Sequence, residues 1–159
     1  ITIGRYSNTS FLDWYTENTA GVDYSSYVIT GYDTFGDLMR KKYVPYLFMY
    51  FDRTEDGFTD VGGALMPDNP SGCLVQAQWD WADSINSGKW GTAFQTYRYK
   101  RNYIPTGTSD TFDYGKNIIV TKSKLRGNGK ALSLRIESEA GKDCKLLGWA
   151  VLMEAPARP

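Results

Sequence analysis

Histidine does not occur in this 159-residue chain, and cysteine occurs twice. The first absence removes the usual general base, every serine or cysteine nucleophile that depends on an imidazole, and the commonest ligand of zinc and iron. Any metal site has to be built from carboxylates. A net charge is missing as well: eighteen Lys and Arg cancel eighteen Asp and Glu, so no global field draws the chain to a phosphate backbone or an anionic bilayer. Neither nucleic acid nor membrane insertion is expected. No apolar run approaches the roughly 18 residues of a membrane span, and the opening ITIGRYSNTS lacks the charged-then-apolar plan of a signal peptide. A start at Ile1 rather than Met points to a processed product or a fragment. The two cysteines, Cys73 and Cys144, each stand in an apolar strand-like run, CLVQAQW and CKLLGWAVL. Free buried thiols are the expectation there, with a cross-strand disulfide as the alternative.

What the chain has is aromatic side chains, 15% of all residues with twelve Tyr, and sixteen glycines between them. Aromatic and β-branched residues suit a pleated, half-buried surface, and the length suits one domain. KALSLRIES places Leu132, Leu134 and Ile136 on one face and Ser133, Arg135 and Glu137 on the other, which is a half-buried strand. NIIVTKSKL before it joins through RGNGK, where Asn128-Gly129 supplies the two positive-φ positions of a tight hairpin. CKLLGWAVLM after it is apolar on both faces. Residues 117 to 153 thus read as a three-stranded meander with a well-buried last strand.

Upstream, YVPYLFMYF (43 to 51) reads as a second buried strand, with Pro45 near its beginning where a missing N–H is tolerable. CLVQAQWDW (73 to 81) and TAFQTYRYKRNY (92 to 103) flank the turn ADSINSGKWG, and SSYVITGY (25 to 32) is a further strand. DTFGDLMRKK (33 to 42) has the spacing of one short helical turn, weakened by Gly36. The expectation is an all-β, antiparallel β-sandwich or jelly-roll-like domain over residues 25–155 with long surface loops. Residues 1–24 read as an N-terminal extension or linker, and 104 to 116 as a surface connection.

Chemistry has few places to reside. In DRTEDGFTD, Asp52, Thr54, Asp56 and Asp60 fall at calcium-loop spacing, yet the twelfth position is Gly63 where the closing bidentate Glu belongs. An acidic loop is the plainer reading. Asp80, Asp83, Asp52 and Glu55 could pair for glycoside hydrolysis only if two of them faced one another across a cleft. RGNGK lacks the glycine spacing of a phosphate cradle. Lys41, Lys42 and RYKR (98 to 101) are small basic clusters suited to solvated strand faces or subunit contacts. No catalytic residue and no cofactor are expected.

The segment QWDWADSINSGKWG (78 to 91) holds three tryptophans. Trp79 and Trp81 share strand parity with Cys73, Val75 and Ala77, which makes them core residues. Trp90 follows a polar turn and is the one free to meet a subunit or a sugar, since Trp and Tyr combine a broad apolar face with a polar edge.

SYVITGYDTFGD, PYLFMYFDRTEDGF, CLVQAQWDWADSINSGKWGTAFQTYRYKR and LRGNGKALSLRIESEAGKDCKLLGW, covering residues 25 to 153 with the last string the most specific, resemble the C-terminal portion of tailed-bacteriophage virion structural proteins. The resemblance implies a non-enzymatic, tail-associated role in the virion as a homo-oligomer. Its partners would be other copies and other virion proteins, with a host-surface glycan possible as a further contact. The contact residues expected are Trp90, Tyr97, Arg98, Tyr99, Arg101 and Tyr103. In the alternative reading, a carbohydrate-binding module, Trp90 stacks on a sugar that Asp83 and Asn86 hydrogen-bond.

Overall fold

Ten strands and one short 3₁₀ turn organise the described part of the chain, residues 25–55, 58–62, 64–67, 71–98 and 118–154 of the computed structural model. In order they are β1 (Tyr27–Ile29), β2 (Lys42–Asp52), β3 (Phe58–Val61), β4 (Ala64–Pro67), β5 (Cys73–Trp79), β6 (Phe94–Gln95), β7 (Ile118–Lys124), β8 (Asn128–Gly129), β9 (Leu132–Ser138) and β10 (Leu146–Glu154). They form two antiparallel sheets, β1-β9-β5-β6 and β10-β2-β7 with β8 also on β2, and a separate β3–β4 hairpin. The all-β sandwich expected from the alternation is present. The extension 1–24 and the connection 104–116 lie outside the described residues.

Strand alternation becomes burial where two sheets face each other. Cys73, Val75, Ala77 and Trp79 of β5 and Leu132, Leu134 and Ile136 of β9 point inward. They meet Leu47, Met49 and Phe51 of β2 and Ile119 of β7 in one cluster. Strand β2 changes phase on the way: Lys42 and Val44 are buried, and then Leu47, Met49 and Phe51. Pro45 sits at the change, pairing with β8 lying before it and pairing with β7 after it. A residue without an N–H is tolerated where one ladder stops and another starts.

Three expectations are corrected here. The meander is absent: β7 lies beside β2, β9 lies between β5 and β1, and β10 returns to the other edge of β2. Both connections therefore cross between sheets, and Asn128-Gly129 is a strand fragment paired with Tyr43 and Lys42 rather than a hairpin turn. The well-buried last strand is an edge strand among the described residues, where β10 has only β2 beside it, and Leu147, Trp149, Leu152 and Met153 are exposed. In DTFGD the chain makes β-turns in place of a helical turn. Phe35 and Gly36 take positive φ, and the Asp33 and Asp37 side chains accept the N–H groups of Phe35, Met39 and Arg40. Short Asp side chains compete with helix formation in this way.

The crossover from β7 to β9 is held by three side chains. Trp79 donates its indole N–H to the Arg126 carbonyl at 3.2 Å. The Asp80 carboxylate accepts the Lys130 N–H at 2.6 Å, while its own N–H bonds the Ala131 carbonyl at 3.0 Å. Lys42, expected on a solvated face, is instead buried, and its ammonium donates to the carbonyls of Asp37, Arg40 and Lys130. Glycine is required beneath this clamp: Gly127 has φ +107° and backs onto the Trp79 ring, so a Cβ there would enter the indole.

Asp80 makes the clamp pH-sensitive. Burial opposes its ionisation, but the hydrogen bond from Lys89 at 2.8 Å and the Lys130 N–H outweigh that and hold its carboxyl below the usual range. A carboxyl with a lowered folded-state pKa contributes stability above its unfolded value, about 3.9, and that contribution is lost as pH falls through the folded value. Urea midpoints measured from neutral pH down into the acid range should therefore fall more steeply for the wild type than for Asp80→Asn. Parallel curves would show that Asp80 is not part of the acid transition.

Both cysteines are free. The Gly72 N–H bonds the Asp143 carbonyl at 3.1 Å, which brings the following residues side by side. The hydrogen bond from Cys144 pushes the Cys73 thiol down, and the same bond together with burial pushes Cys144 up.

Candidate functional site

The three tryptophans of residues 78 to 91 separate. Trp79 is core, as its parity requires. Trp81 is not: the strand ends at Trp79, and Asp80 and Trp81 both adopt φ +56°, which swings the Trp81 ring out to 52% exposure. The Ala82 N–H closes this turn on the Trp79 carbonyl at 3.2 Å. Two consecutive left-handed residues make a primed turn, which Asn-Gly normally supplies. A non-glycine residue there costs about 1–2 kcal/mol.

Two further aromatics converge on the same turn. Tyr32 packs against Trp81 with ring centroids 5.6 Å apart, and its hydroxyl donates to the Ala82 carbonyl at 3.3 Å. Half-buried Trp90 donates its indole N–H to that carbonyl at 2.8 Å and pairs through its backbone with Gln78. Burial, then the charges of Asp80 and Asp83, push the Tyr32 phenol above its ordinary value. Ser84 caps the 3₁₀ turn Ile85–Ser87 by accepting the Asn86 N–H at 3.1 Å. Asp83 and Asn86 are both exposed around the turn. The cluster is thus Tyr32, Trp81 and Trp90, and the exposed Asp83 follows Ala82 directly in the chain.

The remaining contact candidates divide. Tyr97 is removed from the set, because it is a core residue: its ring meets Phe51 edge-on at 5.2 Å and its hydroxyl donates to Glu55 at 2.7 Å. Burial, then the bond to Glu55, pushes its phenol far up. The strand expected over 92 to 103 is described only as β6, Phe94–Gln95, and Tyr97 lies just beyond it. Arg98 is exposed and borders a cleft of about 470 Å³ with Phe94, Lys124, Leu125 and Arg126. Tyr99, Arg101 and Tyr103 lie outside the described residues.

The acidic loop is only partly described. Asp52 ends β2 with its N–H on the Lys145 carbonyl at 2.9 Å, and Thr54 is buried against Ser71 at 2.8 Å. Asp56 lies outside the described residues, as does the side chain of Asp60. Among the described residues no group of three or more Cys, Asp or Glu could hold a metal. Glu55 is enclosed under Tyr97 with Arg53 at 4.0 Å, while Asp80 is committed to Lys89 and the crossover.

A second surface was not singled out in the sequence. Tyr46, Phe48 and Tyr50 alternate with the buried Leu47, Met49 and Phe51 and therefore face outward, half-buried. Register sets Lys124, Lys122 and Val120 of β7 beside them, and Leu152, Ala150 and Gly148 of β10 on the other side. The Lys122 ammonium lies 3.8 Å from the Tyr46 ring centroid. Val120 and Leu152 are 49% and 47% exposed, and Ile118 stands exposed at the end of the strip. The only signal for this surface was that β2 is apolar on both faces, which also describes a strand covered on both sides.

Comparison with protein-family models, curated proteins and solved structures finds no match. The functional reading therefore rests on the residues themselves.

Proposed function

We propose that the chain is a structural domain of a tailed-phage virion, tail-associated, which acts by symmetric assembly through the outward face of the β10-β2-β7 sheet. The observation that carries this reading is the apolar and aromatic strip running across all three strands: Ile118 and Val120, then Tyr46, Phe48 and Tyr50, then Leu152. Contiguous exposed apolar surface of this kind marks interaction sites, and interface cores are enriched in aromatic side chains. Lysines at one margin provide a polar rim. The strings that resemble virion structural proteins include Tyr46, Phe48 and Tyr50 of β2, the centre of the strip, and the first residues of β10 up to Trp149. Among the described residues β10 is an edge strand, whose outer backbone groups face no further strand.

Copies of one rigid sandwich, joined through one such face, close into a ring or other symmetric array if the rotation between neighbours permits. The chain is expected to occupy a defined multimer in native mass spectrometry of its source particle, together with other virion chains. The purified protein should self-associate in sedimentation velocity. Val120→Glu with Leu152→Glu should weaken that association by a factor of about ten or more, roughly 1.4 kcal/mol or above, without altering the thermal midpoint, because both side chains are already half in water. A wild-type chain that stays monomeric at all concentrations and is absent from the particle would sink the proposal.

A further inference from the structure

The turn Trp79–Ala82 carries two left-handed residues, and the fold has a use for only one of them. The conformation of Asp80 brings its carboxylate onto the Lys130 N–H and its N–H onto the Ala131 carbonyl, so the crossover compensates its strain. Trp81 has no such return: its side chain is half in water and rests against Tyr32. A bulky aromatic residue persists at positive φ where the surroundings hold it there, and such residues gather at ligand sites. Here the holding groups are visible, because Tyr32 and Trp90 both bond the carbonyl of Ala82, the residue after Trp81.

We propose that Trp81 and Tyr32, with Asp83 at their margin, form a binding site for one neutral sugar ring. The aromatic faces offer the C–H side of a pyranose an apolar, π-rich surface. Exposed Asp83 supplies acceptors for its hydroxyl groups, and charge-assisted hydrogen bonds of that kind are the strong ones. Trp90 is a positioning residue, since its indole N–H fixes the turn from behind.

The charge pattern selects a neutral ligand. Asp83, two residues after Trp81, is exposed, and Lys89 beside the turn is already paired with Asp80 at 2.8 Å. A uronate or a sugar phosphate would meet negative charge without compensation. On the Trp81 side the chain continues through Ser84, Asn86 and Ser87 with Ile85 among them, a mostly polar surround that suits a small hydroxylated ligand. This site lies on different elements from the β10-β2-β7 face, and the inference does not rest on the assembly reading.

The test is isothermal titration of the whole chain, followed in parallel by tryptophan fluorescence. The probes are maltotetraose, cellotetraose, chitotetraose, mannotetraose and lactose, with tetragalacturonate as the charged control. At least one neutral sugar is expected to bind and perturb the emission, and tetragalacturonate to bind more weakly. Trp81→Gly should weaken the tightest sugar by about tenfold or more, equivalent to roughly 1.4 kcal/mol, while leaving the thermal midpoint unchanged or higher because glycine accepts positive φ. Asp83→Asn should weaken it several-fold with the fold intact. The proposal is overturned if none of the five neutral sugars binds, if tetragalacturonate binds best, or if Trp81→Gly binds like the wild type. A marked fall in the Trp81→Gly midpoint would also overturn it, by assigning Trp81 to the fold. None of these outcomes depends on whether the chain assembles.

Discussion

Trp79→Ala should lose about 3–5 kcal/mol of stability, enough to leave a domain of ordinary stability, about 5–15 kcal/mol, close to unfolding. Two terms combine at this position. The side chain is almost fully buried between β5, β9 and the crossover, so its removal opens a cavity that the two rigid sheets cannot close. Its indole N–H also satisfies the Arg126 carbonyl, and that acceptor would be left without its partner. Gly127, whose backbone lies against the same ring, would face the void. Urea unfolding can separate the two terms. Trp79→Phe keeps most of the apolar volume and loses the hydrogen bond, so it should cost roughly 1–3 kcal/mol, well short of the alanine variant. Equal losses for both variants would mean that the hydrogen bond, and not packing, anchors the crossover. A loss under about 1 kcal/mol for alanine, which is typical of surface sites, would contradict the burial.

The same tryptophan shows what sequence reasoning reaches in this protein. Strand existence and the inner faces of β5 and β9 follow from period-two alternation, because burial on one face imposes that period. Trp79 belongs to this legible part, and so does the sandwich class. Alternation carries no information about where a strand stops, and so Trp81, two residues on, was assigned to the core. Asp80 leaves the strand through a positive φ that no local signal marks, since the turn lacks the glycine that normally announces one. The partner of a strand was equally hidden. Asn128-Gly129 has the composition of a hairpin turn, yet it pairs with β2, and bonds from Asp80 and Lys42 to the adjoining Lys130 lead the chain on to β9 in the other sheet. Tyr97 was expected at a contact surface for a related reason: a tyrosine next to a basic residue is consistent with either an exposed or a buried place until its buried acceptor, Glu55, comes from another segment. Of the candidate site, Trp90, Asp83 and Asn86 were visible as residue types in a polar turn. Tyr32, which comes from a segment about fifty residues away, became visible only through the fold.

Lys42→Met should be the other severe substitution, with a loss of roughly 2–4 kcal/mol, although it replaces one unbranched side chain with another of similar length. The Lys42 ammonium lies where three carbonyls converge: Asp37 and Arg40 from the turn before β2, and Lys130 from the crossover. All three of its donors are therefore used by backbone, and its side chain is 2% exposed. A thioether offers those carbonyls nothing, and burial denies them water, so the turn 33–40 and the segment 128–131 must either open to solvent or keep unsatisfied acceptors. Lys41→Met supplies the control, because Lys41 is the exposed residue directly before β2 and should change stability by less than about 0.5 kcal/mol. Native-state hydrogen exchange gives the more specific readout. Lys42→Met should raise exchange at Lys130, Ala131 and Met39 before it raises exchange in the centre of β5, because the first three amides depend on the segments that the ammonium joins. Uniform acceleration across both sheets would indicate that the lysine supports global stability alone and does not fasten the crossover. Unchanged exchange at all of these sites would show that the three carbonyls find other donors, and the clamp would then consist of Trp79 and Asp80.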